Sequence, residues 1–428
     1  MPKIVRIVRS STFLKHNAIF FTGAIAAGAL NYVFYPIMAR LLPTGSFGEV
    51  QALCSLFAQV NIFLGVLGLI TVNIVVNTSQ SVQRDQIIIE LEKLALLIGF
   101  ALVAVTVFAG SSLERFFHFN SVWPFIWLAL AVLVSIPLMF RNSYLRGRQA
   151  FASTSVLGVM AAGADLVLAV AAVLLHWGTT GVMIALVVAQ FVTFLYGAWL
   201  TRRKGFNGSW RDTLLKFPKM GIIAPELRYA AVVLVSSLTI TGLYSIDTVV
   251  VKHWFDARTA GLYAGIATVA RIIFFLTASI AQVLLPSVRL QQSAKHNQQV
   301  LTKSLVLLVG VGGTVFLLFS LMPKLVIETL MGRRFLPNAA LLSRLSLVIF
   351  LISVINLFML YHLALRRYAV MLIALGGAVV ATVLFATHHQ SLFAIVNDLL
   401  YSSVFIALLL GIWSALPKRR LEPTSEET

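Results

Sequence analysis

Charge and cysteine are what this chain has least of. Only 11% of its 428 residues are Asp, Glu, Lys or Arg, against about 25% in an average soluble domain. With 59% hydrophobic residues and a mean hydropathy of +0.92, an aqueous core of this length cannot hide so much apolar surface. Lipid is therefore the solvent for most of the chain. The one cysteine, Cys54, lies in an apolar run and excludes both an internal disulfide and a Cys-based zinc cluster. Acid is scarcer than base, with 15 Asp and Glu against 33 Lys and Arg. In a membrane chain that excess serves topology and anionic headgroups before it serves nucleic acid. The eight histidines are scattered, and no spacing puts two on one helical face beside a carboxylate. Neither a metal nor another cofactor is expected.

What the chain has in abundance is long apolar runs. About 20 such residues cross roughly 30 Å of hydrocarbon as a helix, and twelve runs qualify. They cover 17–39, 47–77, 94–112, 122–140, 152–175, 180–200, 229–254, 262–286, 304–323, 340–362, 369–387 and 391–415. Runs this continuous are helices, not the ten-residue alternating strands of a barrel. Residues 1–16 oppose Ile4, Ile7 and Val8 to Lys3, Arg6 and Arg9, the pattern of a helix lying in the interface. The run after them exceeds the core of a signal peptide and reads as a retained span.

Lys and Arg set the orientation. With the N-terminus inside, 24 fall in inner segments and 7 in outer loops, which predicts that both termini are cytoplasmic. The inner linker 201–228 carries seven of them and separates an N-lobe at 17–200 from a C-lobe at 229–415. Residues 416–428 form a cytoplasmic tail. Within the linker Trp210, Leu214, Leu215 and Phe217 interleave with Arg211, Lys216 and Lys219, as in a surface-lying helix.

The two halves repeat one another. GALNYVFYPIMARLLPTGSFGEVQ (28–51) is echoed by GLYSIDTVVVKHWFDARTAGLYAG (242–265), with Gly48 and Gly261 at an offset of 213. More loosely, SYLRGRQAF (143–151) is echoed by YHLALRRYAV (361–370). Weak self-similarity of this kind marks a transporter built from parallel repeats, two lobes related by an axis along the membrane normal.

Taken in order, these stretches resemble a known family. The span ending in ARLL, the Pro/Gly turn with FGEVQ, SYLRGRQAF, the second GLYA turn and LVIETLMGRRFLPNAALL are similar to the polysaccharide transporters. Those are oligosaccharide flippases of the multidrug/oligosaccharidyl-lipid/polysaccharide (MOP) superfamily. The resemblance covers essentially the whole chain and implies an all-α polytopic protein. Its two six-helix lobes would form a V-shaped central cavity. It further implies a flippase, not an enzyme, in the plasma membrane. That flippase would carry a polyprenyl-diphosphate-linked oligosaccharide from inner to outer leaflet by alternating access, for cell-surface polysaccharide synthesis. Membrane lipids, and H+ or Na+ as coupling ion, are the other partners.

A diphosphate and a sugar head cannot cross hydrocarbon unaided, because an uncompensated buried charge costs many kcal/mol. Cations inside spans are accordingly the first candidates. Arg271 lies nine residues into span 8, and Asp247 on span 7 falls at a similar depth. This makes Arg271 the candidate contact for the diphosphate and Asp247 its resting counter-ion, with a self-neutralising structural pair as the alternative. Arg40 and Lys252 occupy matching outer ends of spans 1 and 7, where they either enter the cavity or snorkel to headgroups. Asp165 in span 5 and Asp398 in span 12, beside Asn397, are candidates for ion coupling or for satisfaction by polar neighbours.

Two rival classes remain. A membrane polymerase or glycosyltransferase needs catalytic carboxylates or histidines on a substantial outer loop, whereas the outer loops here run from about 4 to 17 residues. A cation-coupled multidrug exporter of the same superfamily shares the architecture and differs only in its site.

Overall fold

The computed structural model describes residues 2–78, 80–208, 220–288, 293–365 and 367–415. Among them there are helices and no strands. The helices are α1 (Pro2–Leu41), α2 (Thr44–Asn77), α3 (Ser81–Phe108), α4 (Gly110–Phe117), α5 (Trp123–Gly147), α6 (Phe151–Leu174), α7 (Gly178–Arg203) and α8 (Met220–Trp254). They continue as α9 (Ala257–Ala270), α10 (Ile272–Ser287), α11 (Ala294–Leu321), α12 (Pro323–Leu330), a 3-10 turn at Arg333–Asn338, α13 (Leu341–Ala364), α14 (Ala369–Thr387) and α15 (Leu392–Ala415).

Eleven helices are long and apolar enough to span a membrane. The twelfth expected run, 369–387, forms α14, but its described apolar stretch is the shorter Ala369–Leu384. The eighth is not one unbroken helix: α9 ends at Ala270 and α10 begins at Ile272, with a turn at Arg271 between them. The residues expected to form the linker's surface helix lie largely outside the described residues. Of the linker residues that are described, 201–203 end α7, 204–208 leave it as turn and irregular chain, and 220–228 open α8.

Several helices stop without glycine. Gln149, at +55°, ends α5 in a left-handed turn whose Ala150 and Gln149 amides donate to Leu145 and Arg146 carbonyls, both at 2.9 Å. His118 and His176 end α4 and α6 in the same way. Such a turn satisfies the last carbonyls of a helix and usually employs glycine. At the start of α9, Asp256 accepts from the Arg258 and Thr259 amides, each at 3.0 Å. Bonding to the side chain and amide of Thr259 holds its carboxyl below the usual carboxylate range. The cap is therefore complete above that range and weakens as acid protonates it.

The described residues divide into two compact units, one of 1–269 with 322–342 and another of 270–321 with 343–428. In the first unit α1 lies along α6, where Gly23 meets Ser155 and Gly158 meets Ala27. Small residues at such a crossing let helices gain packing that lipid does not supply. The same unit holds a core of Ile88, Ile89, Ile136, Phe140, Tyr144 and Phe206, while Phe100, Val105 and Phe108 point outward. In the second unit Gly312 fits against Phe350 and Thr277, and Gly377 against Ile406.

The two repeated turns meet inside the first unit. A Cβ placed on Gly261 would stand 1.8 Å from the Thr44 carbonyl oxygen, and one on Gly48 would stand 2.8 Å from the Gly261 Cα. Only glycine permits this approach. Phe335 seals its flank, edge-on to Phe47 at 5.8 Å between centroids and close over Gly265.

A Cβ on Gly45 would lie 3.2 Å from that of Ala257, near the separation found in disulfides. In a Cys54→Ala background, Gly45→Cys with Ala257→Cys should lose both reactive thiols on mild oxidation, as read by maleimide labelling. Two thiols that stay labelled under oxidation would contradict this packing.

Candidate functional site

Three groups of polar side chains lie in the apolar body of the first unit. The first runs along α2, where it faces α8 and α9. Gln51 donates to the Thr268 hydroxyl, and Gln59 donates to Ser245 at 3.0 Å. Asp247 on α8 is 2% exposed and accepts from the Tyr263 hydroxyl at 2.7 Å. The Gln51 and Gln59 bonds join α2 to residues of α9 and α8 that lie 217 and 186 positions further along the chain.

Lys252 lies toward the C-terminal end of α8 and is 1% exposed. Its Nζ has no hydrogen-bond partner among the described residues. It stands 4.9 Å from the centre of the Phe119 ring, and Glu49 and Asp256 act on it electrostatically. Glu49 in turn accepts from the Thr179 hydroxyl at 2.6 Å. A cation over an aromatic face keeps part of its stabilisation when water is excluded. Arg40, its counterpart in the other repeat, is exposed and donates to the Thr329 carbonyl at 2.5 Å. The matching positions in the two repeats thus have different surroundings.

The second group sits at the opposite, basic end of the unit, around SYLRGRQAF. Arg141 binds both carboxylate oxygens of Glu92, at 2.8 and 3.0 Å, and its guanidinium covers the Phe206 ring at 4.5 Å. Arg84 pairs with Asp85 at 2.8 Å and donates to the Tyr144 hydroxyl at 3.2 Å. Asp85 accepts from the Asn207 amide at 2.9 Å, and Tyr144 donates to the Lys204 carbonyl at 3.4 Å. Every charged member is under 10% exposed. The count of Lys and Arg took Arg84 and Arg141 as inner-loop charges, and neither Glu92 nor the network was expected.

The third group lines a recess of about 280 Å³ between α2, α5 and α7. Asn61, Asn142, Arg146 and Gln190 supply its polar wall, and Gly65 and Gly68 its floor on α2. The Asn142 Oδ1 is buried without a hydrogen-bond partner among the described residues.

The remaining candidates are dispersed. Asp165 lies on α6, and its Oδ1 is buried and unpartnered among the described residues. Arg271 is 5% exposed, at the break between α9 and α10. It belongs to the second unit, whereas Asp247 belongs to the first. Asp398 stands 3.6 Å from His388, within ion-pair range. Its neighbour Asn397 accepts instead from Arg344, at 2.9 Å. Among the described residues no group of three His, Cys, Asp or Glu is placed to hold a metal.

A profile of the family described as polysaccharide biosynthesis protein matches residues 13–291. No curated protein sequence matches the chain. Among solved structures the fold is similar to lipid II flippase MurJ in an inward closed conformation, with a TM-score of 0.75 and 11% identity. That match covers 93% of this chain and 88% of the other. It is also similar to a multidrug resistance MATE family transporter of the MOP superfamily. The inward-facing form gives a TM-score of 0.71 and 14% identity over 91% of this chain and 93% of that one. The outward-facing form gives 0.63 and 14% over 94% of each. At these identities the structures establish a shared fold.

Breaking the Glu92–Arg141 pair strands a buried charge, which costs about 3–5 kcal/mol. Arg141→Met should therefore lower the thermal midpoint of the purified protein sharply. Glu92→Leu together with Arg141→Met should recover most of that loss. A single variant as stable as wild type would show that the pair carries no such role.

Proposed function

Because the chain belongs to the family of polysaccharide biosynthesis proteins and has the fold of MOP transporters, we propose that it is a flippase. Its cargo is a polyprenyl-diphosphate-linked oligosaccharide, moved from the inner to the outer leaflet of the plasma membrane by alternating access. The family match over residues 13–291 is the observation that carries this reading. A multidrug exporter would have the same fold, but nothing in the family match favours it.

The chemistry asks for few groups. A diphosphate needs cations whose charge is strengthened by exclusion of water, and hydroxyl-rich sugars need amide and hydroxyl partners. Arg271, buried beside a helix break, is the proposed diphosphate contact. Lys252 is a second cation kept out of water at the outer end, and Arg40 is a surface residue of the same region. Asp165 and Asp398 are proposed for coupling to a proton or sodium gradient, Asp165 first because its Oδ1 lacks a partner. Asp247 is held by Tyr263, which suits a counter-ion better than a titrating site.

Depleting the protein in its host and probing lipid-linked intermediates with a membrane-impermeant sugar-modifying reagent tests the function. Completed units should accumulate on the inner leaflet. Unchanged intermediates would remove the oligosaccharide reading and bring the exporter forward. At normal protein levels Arg271→Gln should reduce transport at least tenfold, and Arg271→Lys less. Asp165→Asn should leave transport in reconstituted vesicles insensitive to an imposed ion gradient.

A further inference from the structure

We propose that the recess walled by Asn61, Asn142, Arg146 and Gln190 binds the phosphate-proximal sugar of the cargo. The inference rests on the flippase reading and assigns that substrate a place within one unit of the protein.

The recess sets these four polar side chains among apolar ones, Leu64, Leu69, Val72, Leu138 and Met139, on helices that are otherwise apolar. Asn61 spends its amide N–H on the Phe57 carbonyl at 2.8 Å, which leaves its carbonyl oxygen to the recess. The Asn142 Oδ1 is buried with no donor, and Gln190 and Arg146 make no hydrogen bond or ion pair among the described residues. A buried amide oxygen without a partner costs about 1–3 kcal/mol. Such a cost is recovered when a ligand brings a donor. Sugar hydroxyls donate and accept, so they match carboxamides, whose oxygen accepts and whose nitrogen donates. Arg146, one residue from the end of α5, adds the planar cation that recognises phosphate oxygens. At about 280 Å³ the recess is just below the usual span of ligand sites, about 300–1,000 Å³. It therefore suits a sugar or two beside the phosphate, not a whole oligosaccharide.

The two glycines of α2 show how the space is kept. A Cβ on Gly68 would stand 2.8 Å from the Ser143 hydroxyl and 3.2 Å from the Met139 sulfur. Here glycine lets α2 touch α5. One turn earlier, a Cβ on Gly65 would meet nothing within 4 Å. No protein contact demands glycine at 65, and any larger side chain there would project into the recess. Alanine would favour the helix by about 1 kcal/mol, so helix stability does not account for glycine at this position.

Gly65→Leu is therefore a plug that meets no protein atom within 4 Å at its Cβ. The test complements depleted cells with wild type, Gly65→Leu, Asn142→Leu and Arg146→Gln at matched abundance. It measures inner-leaflet accumulation of lipid-linked oligosaccharide. The same lipid-linked material, extracted from depleted cells, serves as the probe for binding to each purified protein. The plug, Asn142→Leu and Arg146→Gln should each bind at least tenfold more weakly and accumulate inner-leaflet cargo. Thermal midpoints of the variants report folding, and should the plug accumulate poorly, the two polar variants carry the test. Wild-type binding and export in all of them would overturn the recess as a sugar site while leaving the flippase reading standing. Failure of wild type itself to relieve or bind the intermediates would overturn the flippase reading, and this inference with it.

Discussion

The approach of Gly48 to Gly261 is the contact from which the organisation of the first unit follows. Where a Cβ would stand under 3 Å from the opposing backbone, two helical turns can meet at backbone distance only if both lack side chains. Lipid offers no hydrophobic drive for helix association, so packing of this closeness and interhelical hydrogen bonds must supply it. Once the turns are fixed, α2 is brought alongside α8 and α9, and Gln51 reaches Thr268 as Gln59 reaches Ser245. The sequence repeat is thus a contact as well as a duplication. Each copy provides one glycine of the pair, and Phe335 from a later part of the chain closes over it.

In a medium without water, every polar side chain must be accounted for by a partner, a ligand or a cost. Most of those in the first unit have a partner. Arg84, Asp85, Glu92, Arg141 and Tyr144 pair with one another and fix the basic end of the bundle. What is left over is informative. Among the described residues the leftovers include the Lys252 Nζ, the Asp165 Oδ1 and the Asn142 Oδ1, each buried without a hydrogen-bond partner and each on a different helix. Lys252 retains an aromatic face and two carboxylates in its field, so its deficit is partial. Asn142 opens onto a recess large enough for a ligand, so its deficit has a remedy from outside the chain.

Much of the architecture was legible because its physics is local. Apolar length and breaks at charge gave nearly every helix, and the offset of 213 pointed to Gly48 and Gly261 before their contact was known. The helix stops were less legible. Gln149, His118 and His176 take the left-handed conformation that glycine usually takes, so no residue type announced them. Two of the scattered histidines that suggested no metal are in fact helix ends. The break at Arg271 was invisible because the run around it is continuously apolar. The ion network had a signal that went unread: Asp85 and Glu92 are seven apart on one helical face, and Arg141 and Tyr144 are three apart on another. The pairing of Glu92 with Arg141 and of Arg84 with Tyr144, across 49 and 60 residues, is tertiary information, and the count of Lys and Arg for topology had already given Arg84 and Arg141 a role.

The same distinction separates the two glycines of the recess. Read as letters, Gly65 and Gly68 are alike, and each costs the helix about 1 kcal/mol relative to alanine. Gly68 repays that cost through contact with Met139 and Ser143, whereas Gly65 faces space. An open position that stays glycine, opposite amides whose hydrogen-bonding capacity is unspent, is better explained by something that enters than by anything the chain itself packs there. Arg146 sharpens the argument. An arginine near the basic end of α5 can snorkel to headgroups and serve topology alone, but topology asks nothing of Asn142, Gln190 or Gly65. A ligand with hydroxyls and a phosphate makes one demand of all four.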